Sequence, residues 1–226
     1  MLHKIKITTA IALSVTIAGC GGNTASTDKQ AAADTMQTTA ASSTKSILVF
    51  GDSLTAGYGL DDPADAYPSV LQTKLDSAKL PYTIINGGLS GETSAGGIGR
   101  IDWLLKQHID VFVLELGAND GLRGIPATET EKNLQAIIDR VKAKYPKAKL
   151  VMLGMQVPPN MGAAYTTDFK NIFPKLATQN NMTLVPFLLQ GVGGVRALNQ
   201  KDGIHPTAAG AKILANNVWG VVRGIL

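Results

Sequence analysis

The sequence predicts an α/β fold, a three-layer α/β/α sandwich around a five-stranded parallel sheet, from two observations. Short apolar, β-branched runs recur at 46–50, 82–86, 110–116, 149–154 and 182–186, and stretches with helical spacing of apolar residues separate them. Such βα alternation implies right-handed crossovers with helices on both faces of the sheet, and ligands then bind at the carboxyl ends of the strands.

Taken in order, the first run, Ile47-Leu48-Val49-Phe50, breaks into Gly51-Asp52-Ser53-Leu54, and Tyr67, Val70, Leu71 and Leu75 then share a helical face. The second run opens into the glycine-rich segment Asn86-Gly87-Gly88-Leu89-Ser90-Gly91-Glu92-Thr93, followed by a face of Ile98, Ile101, Leu104 and Leu105. The third leads to Leu116-Gly117-Ala118-Asn119-Asp120-Gly121. Leu134, Ile137, Ile138 and Val141 form the next face, behind a capping box of Thr128 and Glu131. Beyond the fourth run come Phe169, Ile172, Phe173 and Leu176, in a helix that Pro174 is expected to kink. Leu214, Val218, Val221, Val222 and Ile225 mark the last helix.

With 226 residues, 45% apolar and 17% charged, the chain fits one globular domain. Its formal charge of +4 includes Lys4 and Lys6, without which it falls to about +2. No basic stripe remains to hold a nucleic acid, and Lys142, Lys144, Lys147 and Lys149 read as a solvated helix end. A dinucleotide fingerprint and a phosphate-binding P-loop are both missing, and Gly191-Val192-Gly193-Gly194 reads as a flexible loop, so no cofactor is expected.

Positions 1–19 read as a signal peptide, with Lys4 and Lys6 ahead of an apolar stretch too short to span a bilayer. It ends in Ile17-Ala18-Gly19-Cys20, which resembles the lipobox of bacterial lipoproteins. That resemblance implies lipidation at Cys20, membrane anchoring and a place in the cell envelope. Gly21 after the cysteine points to the outer membrane, periplasmic face. Residues 20–45 are almost entirely small and polar, a composition that cannot offset its ordering entropy, so they read as a tether to a domain at 46–226. Cys20 is the only cysteine, so a disulfide, thiol catalysis and a zinc–thiolate site are excluded, and no metal is expected.

The predicted topology puts Ser53 at the ligand-binding rim, where it reads as a nucleophile or as a helix cap. Beyond the signal peptide the histidines are His108 and His205. His108 precedes the third strand, on the wrong side of the sheet, and is expected to terminate a helix dipole. His205 follows the last strand, with Asp202 three residues earlier, so the carboxylate can meet one ring nitrogen while the other faces Ser53. The loops carrying Gly88, Gly91 and Asn119 read either as turns or as donors to an oxyanion.

These residues resemble the four ordered blocks of the SGNH, or GDSL, hydrolases: Gly51-Asp52-Ser53-Leu54, Gly91, Asn119 and Asp202-Gly203-Ile204-His205. The match runs over 46–226. The surrounding segments look like the branch of bacterial arylesterases and a periplasmic thioesterase I/lysophospholipase. The resemblance implies a flavodoxin-like SGNH fold, Ser53 as nucleophile, His205 as base and Asp202 as its orienter. It also implies an oxyanion hole of the Ser53 and Gly91 amides with the Asn119 side chain, Gly91 being favoured over Gly88 by its Ser-Gly-Glu-Thr context. The lipobox and tether depart from the soluble periplasmic enzyme and bear on location rather than on chemistry.

The expected activity is hydrolysis of short to medium acyl or aryl esters through an acyl-enzyme, with thioesters and lysophospholipids as further candidates. A carbohydrate O-acetylesterase and a non-enzymatic lipid-anchored binding module are the alternatives. Val157, Pro158, Pro159, Met161 and Tyr165 after the fourth strand, and Phe187, Leu188, Leu189, Val192 and Val195 after the fifth, are candidates for an acyl or aryl pocket. Arg123 and Arg196 are the candidate cations for an anionic head group.

Overall fold

The computed structural model describes residues 44–226. The expected signal peptide, the expected lipidation at Cys20 and the expected tether up to position 43 lie outside the described residues. Five strands form one parallel sheet: β1 (Lys45–Gly51), β2 (Tyr82–Gly88), β3 (Val111–Glu115), β4 (Lys149–Leu153) and β5 (Thr183–Val185), in the order β2-β1-β3-β4-β5. The strand begins at Lys45, one residue inside the expected tether, because Lys45 N–H bonds to Pro81 O at 2.8 Å and the residue pairs with Tyr82.

Residues Ile47–Phe50 and Val111–Glu115 are buried throughout, as central parallel strands covered on both faces must be. The covering helices are α1 (Ser53–Ala56), α2 (Tyr67–Ser77), α3 (Ser94–Leu104), α4 (Ala118–Leu122), α5 (Ala127–Lys144), α6 (Ala163–Asn180) and α7 (Ala208–Val222). Helices α2 and α7 pack on each other, and α3, α5 and α6 pack in succession, giving the two outer layers. Their buried residues follow the spacing in the sequence: Leu71 and Leu75, Ile101 and Leu104, Leu134 to Val141, Phe169 to Leu176, Leu214 to Val222. Burial of each large apolar side chain contributes roughly 1.5–3 kcal/mol.

Helix starts depart from expectation. Thr128 lies inside α5, which begins after Pro126 with no side-chain cap, so the expected capping box does not form. The Pro126 carbonyl accepts the Glu129 and Thr130 N–H groups itself, and Glu131 instead pairs with Lys175 at 2.6 Å. Pro174 sits within α6, which runs unbroken to Asn180. His108 terminates no helix: α3 stops at Leu104, and the imidazole contacts Asp110 at 3.2 Å and the edge of the Tyr145 ring. The Gly191–Gly194 segment is a set turn whose Val192 is fully buried.

Adjacent strands β1 and β3 are reached by crossovers running in opposite directions, which opens a crevice beyond their carboxyl ends. The segments after β1 and β3 carry Ser53 and Asn119 into it.

Candidate active site

Ser53 is the first residue of α1, directly after the end of β1. The junction is tight: a Cβ on Gly51 would lie 2.1 Å from Thr55 Oγ1 and 2.3 Å from Glu115 Oε2, so only glycine fits there. The preceding Asp52 caps the helix, its Oδ1 accepting Leu54 N–H at 3.0 Å. Capping is therefore assigned to the neighbour, and the Ser53 hydroxyl is left for another partner. That partner is His205, whose Nε2 lies 2.8 Å from Ser53 Oγ across 152 positions of sequence.

The segment 199–207 brings His205 back to this rim. Asn199 and Pro206 form an antiparallel bridge, and Gln200 N–H bonds to His205 O at 2.7 Å. Gln200 Nε2 donates both to Tyr58 O and to Pro206 O, tying the segment to the turn after α1. Asp202 Oδ2 lies 2.7 Å from His205 Nδ1, while its Oδ1 accepts the Ile204 and His205 amides at 3.0 Å each. The bond from His205, with these two amides, holds the Asp202 carboxyl down at about 2. No helix follows Asp202 directly, since α7 is capped by Thr207. The Tyr58 ring leans on the imidazole at a centroid distance of 4.7 Å.

Two loops complete the rim. Gly88 N–H donates to Asn86 Oδ1 at 2.9 Å. Gly91, at φ +79°, has open space around its Cα, and its N–H has no acceptor among the described residues. Ser53 N–H, the first of its helix, has none either. Asn119 Nδ2 donates to Asp52 Oδ2 at 3.1 Å and to Glu92 O at 3.0 Å, which fixes its amide between the loops. The 89–93 loop is held by an ion pair of Glu92 with Arg100, whose guanidinium also donates to Gly87 O at 2.8 Å. Arg123 donates to Gly91 O at 3.0 Å, a contact within the protein rather than a clamp left open for an anion.

Under Ser53 lie Asp52 and Glu115, both fully buried. Burial pushes the Asp52 carboxyl up to about 6, against the opposing pull of Leu54 N–H and His205. Burial, and then the neighbouring Asp52, push Glu115 well above the usual carboxylate range. Neither carboxyl is singled out as a site group by the sequence. The available signal was a lone carboxylate, Glu115, closing an otherwise apolar strand.

A cavity of about 720 Å³ opens beside Ser53 and His205. Its apolar wall includes Leu122, Met155, Val157, Pro158, Phe187 and Leu189. Several expected lining residues have other places: Leu188 and Val192 are fully buried core, and Tyr165 stacks toward Phe169 and donates to Ile125 O at 2.7 Å. Met161, Val195 and Arg196 do not line it. Tyr58, Leu122 and Ile204 line it and are 54, 43 and 44% exposed, giving the mouth an apolar rim.

A parallel α/β sheet with a serine, an imidazole and a carboxylate in one hydrogen-bonded chain beyond its carboxyl edge has the arrangement of the serine hydrolases. The chain belongs to the GDSL-like lipase/acylhydrolase family, whose model matches residues 49–213, and it is a carboxylic ester hydrolase. It is 40% identical over 169 residues to an arylesterase of Vibrio mimicus, covering 74% of this chain and 82% of that protein. It is 38% identical over 177 residues to thioesterase 1/protease 1/lysophospholipase L1 of Escherichia coli strain K12, covering 78% of this chain and 82% of the relative. The crystal structure of TesA superposes with a TM-score of 0.77 at 39% identity, covering 80% of this chain and all of the other.

Proposed function

We propose that this protein hydrolyses short to medium acyl or aryl esters, with thioesters and lysophospholipids as further substrates, by passing the acyl group first to Ser53 and then to water. The observation that carries this reading is the 2.8 Å contact of Ser53 Oγ with His205 Nε2 at the mouth of an apolar cavity. Ser53 Oγ attacks the carbonyl carbon as His205 Nε2 takes its proton, and the imidazolium is stabilised by Asp202 at Nδ1. The tetrahedral intermediate expels the alcohol or thiol, protonated by His205. Water, deprotonated by the same nitrogen, then releases the acid and restores Ser53.

The oxyanion meets the Ser53 and Gly91 amides and one Asn119 Nδ2 hydrogen, the one given to Glu92 O in the resting site. Asn119→Ala is expected to lower kcat by about 10²–10³-fold with little change in KM, measured with p-nitrophenyl butyrate. An unchanged kcat removes Asn119 from the hole.

Substrate class is tested with p-nitrophenyl acetate, butyrate, octanoate and palmitate. Each methylene buried against the Val157, Phe187 and Leu189 wall adds about 0.8 kcal/mol, roughly fourfold in kcat/KM. The expected profile therefore rises from acetate through butyrate and falls once the chain outgrows the cavity. Release of acetate from acetylated glycans with no hydrolysis of butyrate contradicts the esterase reading in favour of a carbohydrate O-acetylesterase.

A further inference from the structure

Acyl transfer as described uses neither of the two carboxyl groups buried beneath the nucleophile. Glu115 Oε2 accepts Asp52 N–H at 3.1 Å and the Thr55 hydroxyl at 2.8 Å, whereas Oε1 is the one fully buried side-chain polar atom among the described residues with no hydrogen-bond partner. Asp52 spends Oδ1 on Leu54 N–H and Oδ2 on Asn119 Nδ2, and the bond from its backbone N–H to Glu115 Oε2 brings the two fully buried carboxyl groups into one neighbourhood. The surrounding elements supply Thr55 from α1, Tyr67 from α2, Asn119 from α4 and His205 from the 199–207 segment. Tyr67 OH lies 2.9 Å from Thr55 Oγ1, and among the described residues no lysine or arginine bonds to either carboxyl. Two ionised carboxylates facing each other out of water repel and are poorly solvated, so one proton between them is the stable arrangement.

We propose that Asp52 and Glu115 share a single proton, carried on Glu115 Oε1 and donated to the Asp52 carboxylate, and that this acid pair positions both Ser53 and Asn119. The proposal rests on the reading of Ser53 as nucleophile and Asn119 as oxyanion donor. One end of the pair fixes the first turn of α1 through Asp52 N–H, Leu54 N–H and Thr55, and with it the Ser53 amide. The other end sets the Asn119 amide through Asp52 Oδ2. Loss of the shared proton at alkaline pH leaves two facing anions and loosens both. Burial raises both carboxyls, Asp52 to about 6 and Glu115 well above the usual carboxylate range, in keeping with a proton held between them.

The test combines infrared difference spectroscopy with kcat and KM measured against pH. Wild-type protein minus Glu115→Gln is expected to show the carbonyl stretch of a protonated carboxylic acid at neutral pH, fading at alkaline pH in step with kcat. Glu115→Gln keeps an acceptor for Asp52 N–H and gives Asp52 a donor that cannot ionise. It therefore rescues kcat relative to Glu115→Ala and lacks the alkaline decline, while Glu115→Ala loses about 10²-fold in kcat at similar KM. Absence of the acid band in wild type overturns the proposal, and so does a Gln variant as impaired as Ala with the wild-type alkaline limb. If Glu115→Gln fails to fold, the presence or loss of the band across the wild-type titration decides alone. Failure of a fluorophosphonate to label wild-type Ser53 defeats the nucleophile reading instead, and the acid band remains a separate result.

Discussion

Ser53→Ala is expected to lower kcat for p-nitrophenyl acetate and butyrate by about 10⁶-fold while leaving the protein folded. Fold retention follows from the cap: Asp52, not Ser53, holds the start of α1, and Ser53 Oγ makes its described contact only with His205. His205→Ala is expected to cost about as much, because an unactivated serine hydroxyl is a weak nucleophile and the leaving group loses its acid. Both residues act in one step, so the double variant is expected to be no slower than either single one. Steady-state kinetics on the three proteins, with folding checked by circular dichroism, measures this. A folded Ser53→Ala protein at wild-type rate is incompatible with acyl transfer through Ser53.

Asp202→Asn gives the second largest effect, about 10⁴-fold in kcat, with the position of His205 largely kept. Asn retains an oxygen for the Ile204 and His205 amides, which Asp202 Oδ1 now holds at 3.0 Å. Its NH₂, however, faces Nδ1 where the carboxylate lies at 2.7 Å, which favours the tautomer with the proton on Nε2 and turns that nitrogen from base into donor. The pH dependence has a definite sign. A folded value of about 2 lies below the unfolded reference of about 3.9, so the pairing's contribution to stability is fully present above that reference and is lost as pH falls through about 2. Asp202→Asn is expected to lower activity across the whole pH profile, since the tautomer it favours leaves no base facing Ser53 at any pH.

Much of this was legible in the sequence because it depends on local pattern or elimination. Ile47 to Phe50 and Val111 to Leu114 announce central strands by unbroken apolar character, and strand–helix alternation sets the parallel order that carries Ser53 and Asn119 to one edge. His205 could be preferred over His108 because the two fall on opposite ends of the sheet. What escaped depends on three-dimensional partners. Thr128 and Glu131 have capping-box spacing, yet the Pro126 carbonyl starts that helix and Glu131 finds Lys175. Leu188 and Val192 look like pocket residues but turn inward, whereas Met155, just ahead of Val157, and Leu122, at the end of α4, face the cavity. Asp52 and Glu115 are 63 residues apart, and nothing local to either predicts that the Asp52 amide meets the Glu115 carboxylate. The rivalry of Gly88 and Gly91 likewise required the structure, which shows the Gly88 amide already engaged by Asn86.

The central claim is that Ser53 is a nucleophile activated by His205, and covalent labelling tests it most directly. After reaction with a fluorophosphonate, intact-mass spectrometry and peptide mapping are expected to find one adduct per chain, on Ser53, absent from Ser53→Ala and formed far more slowly in His205→Ala. A folded wild-type protein that takes no adduct, or one whose adduct persists in Ser53→Ala, contradicts the account.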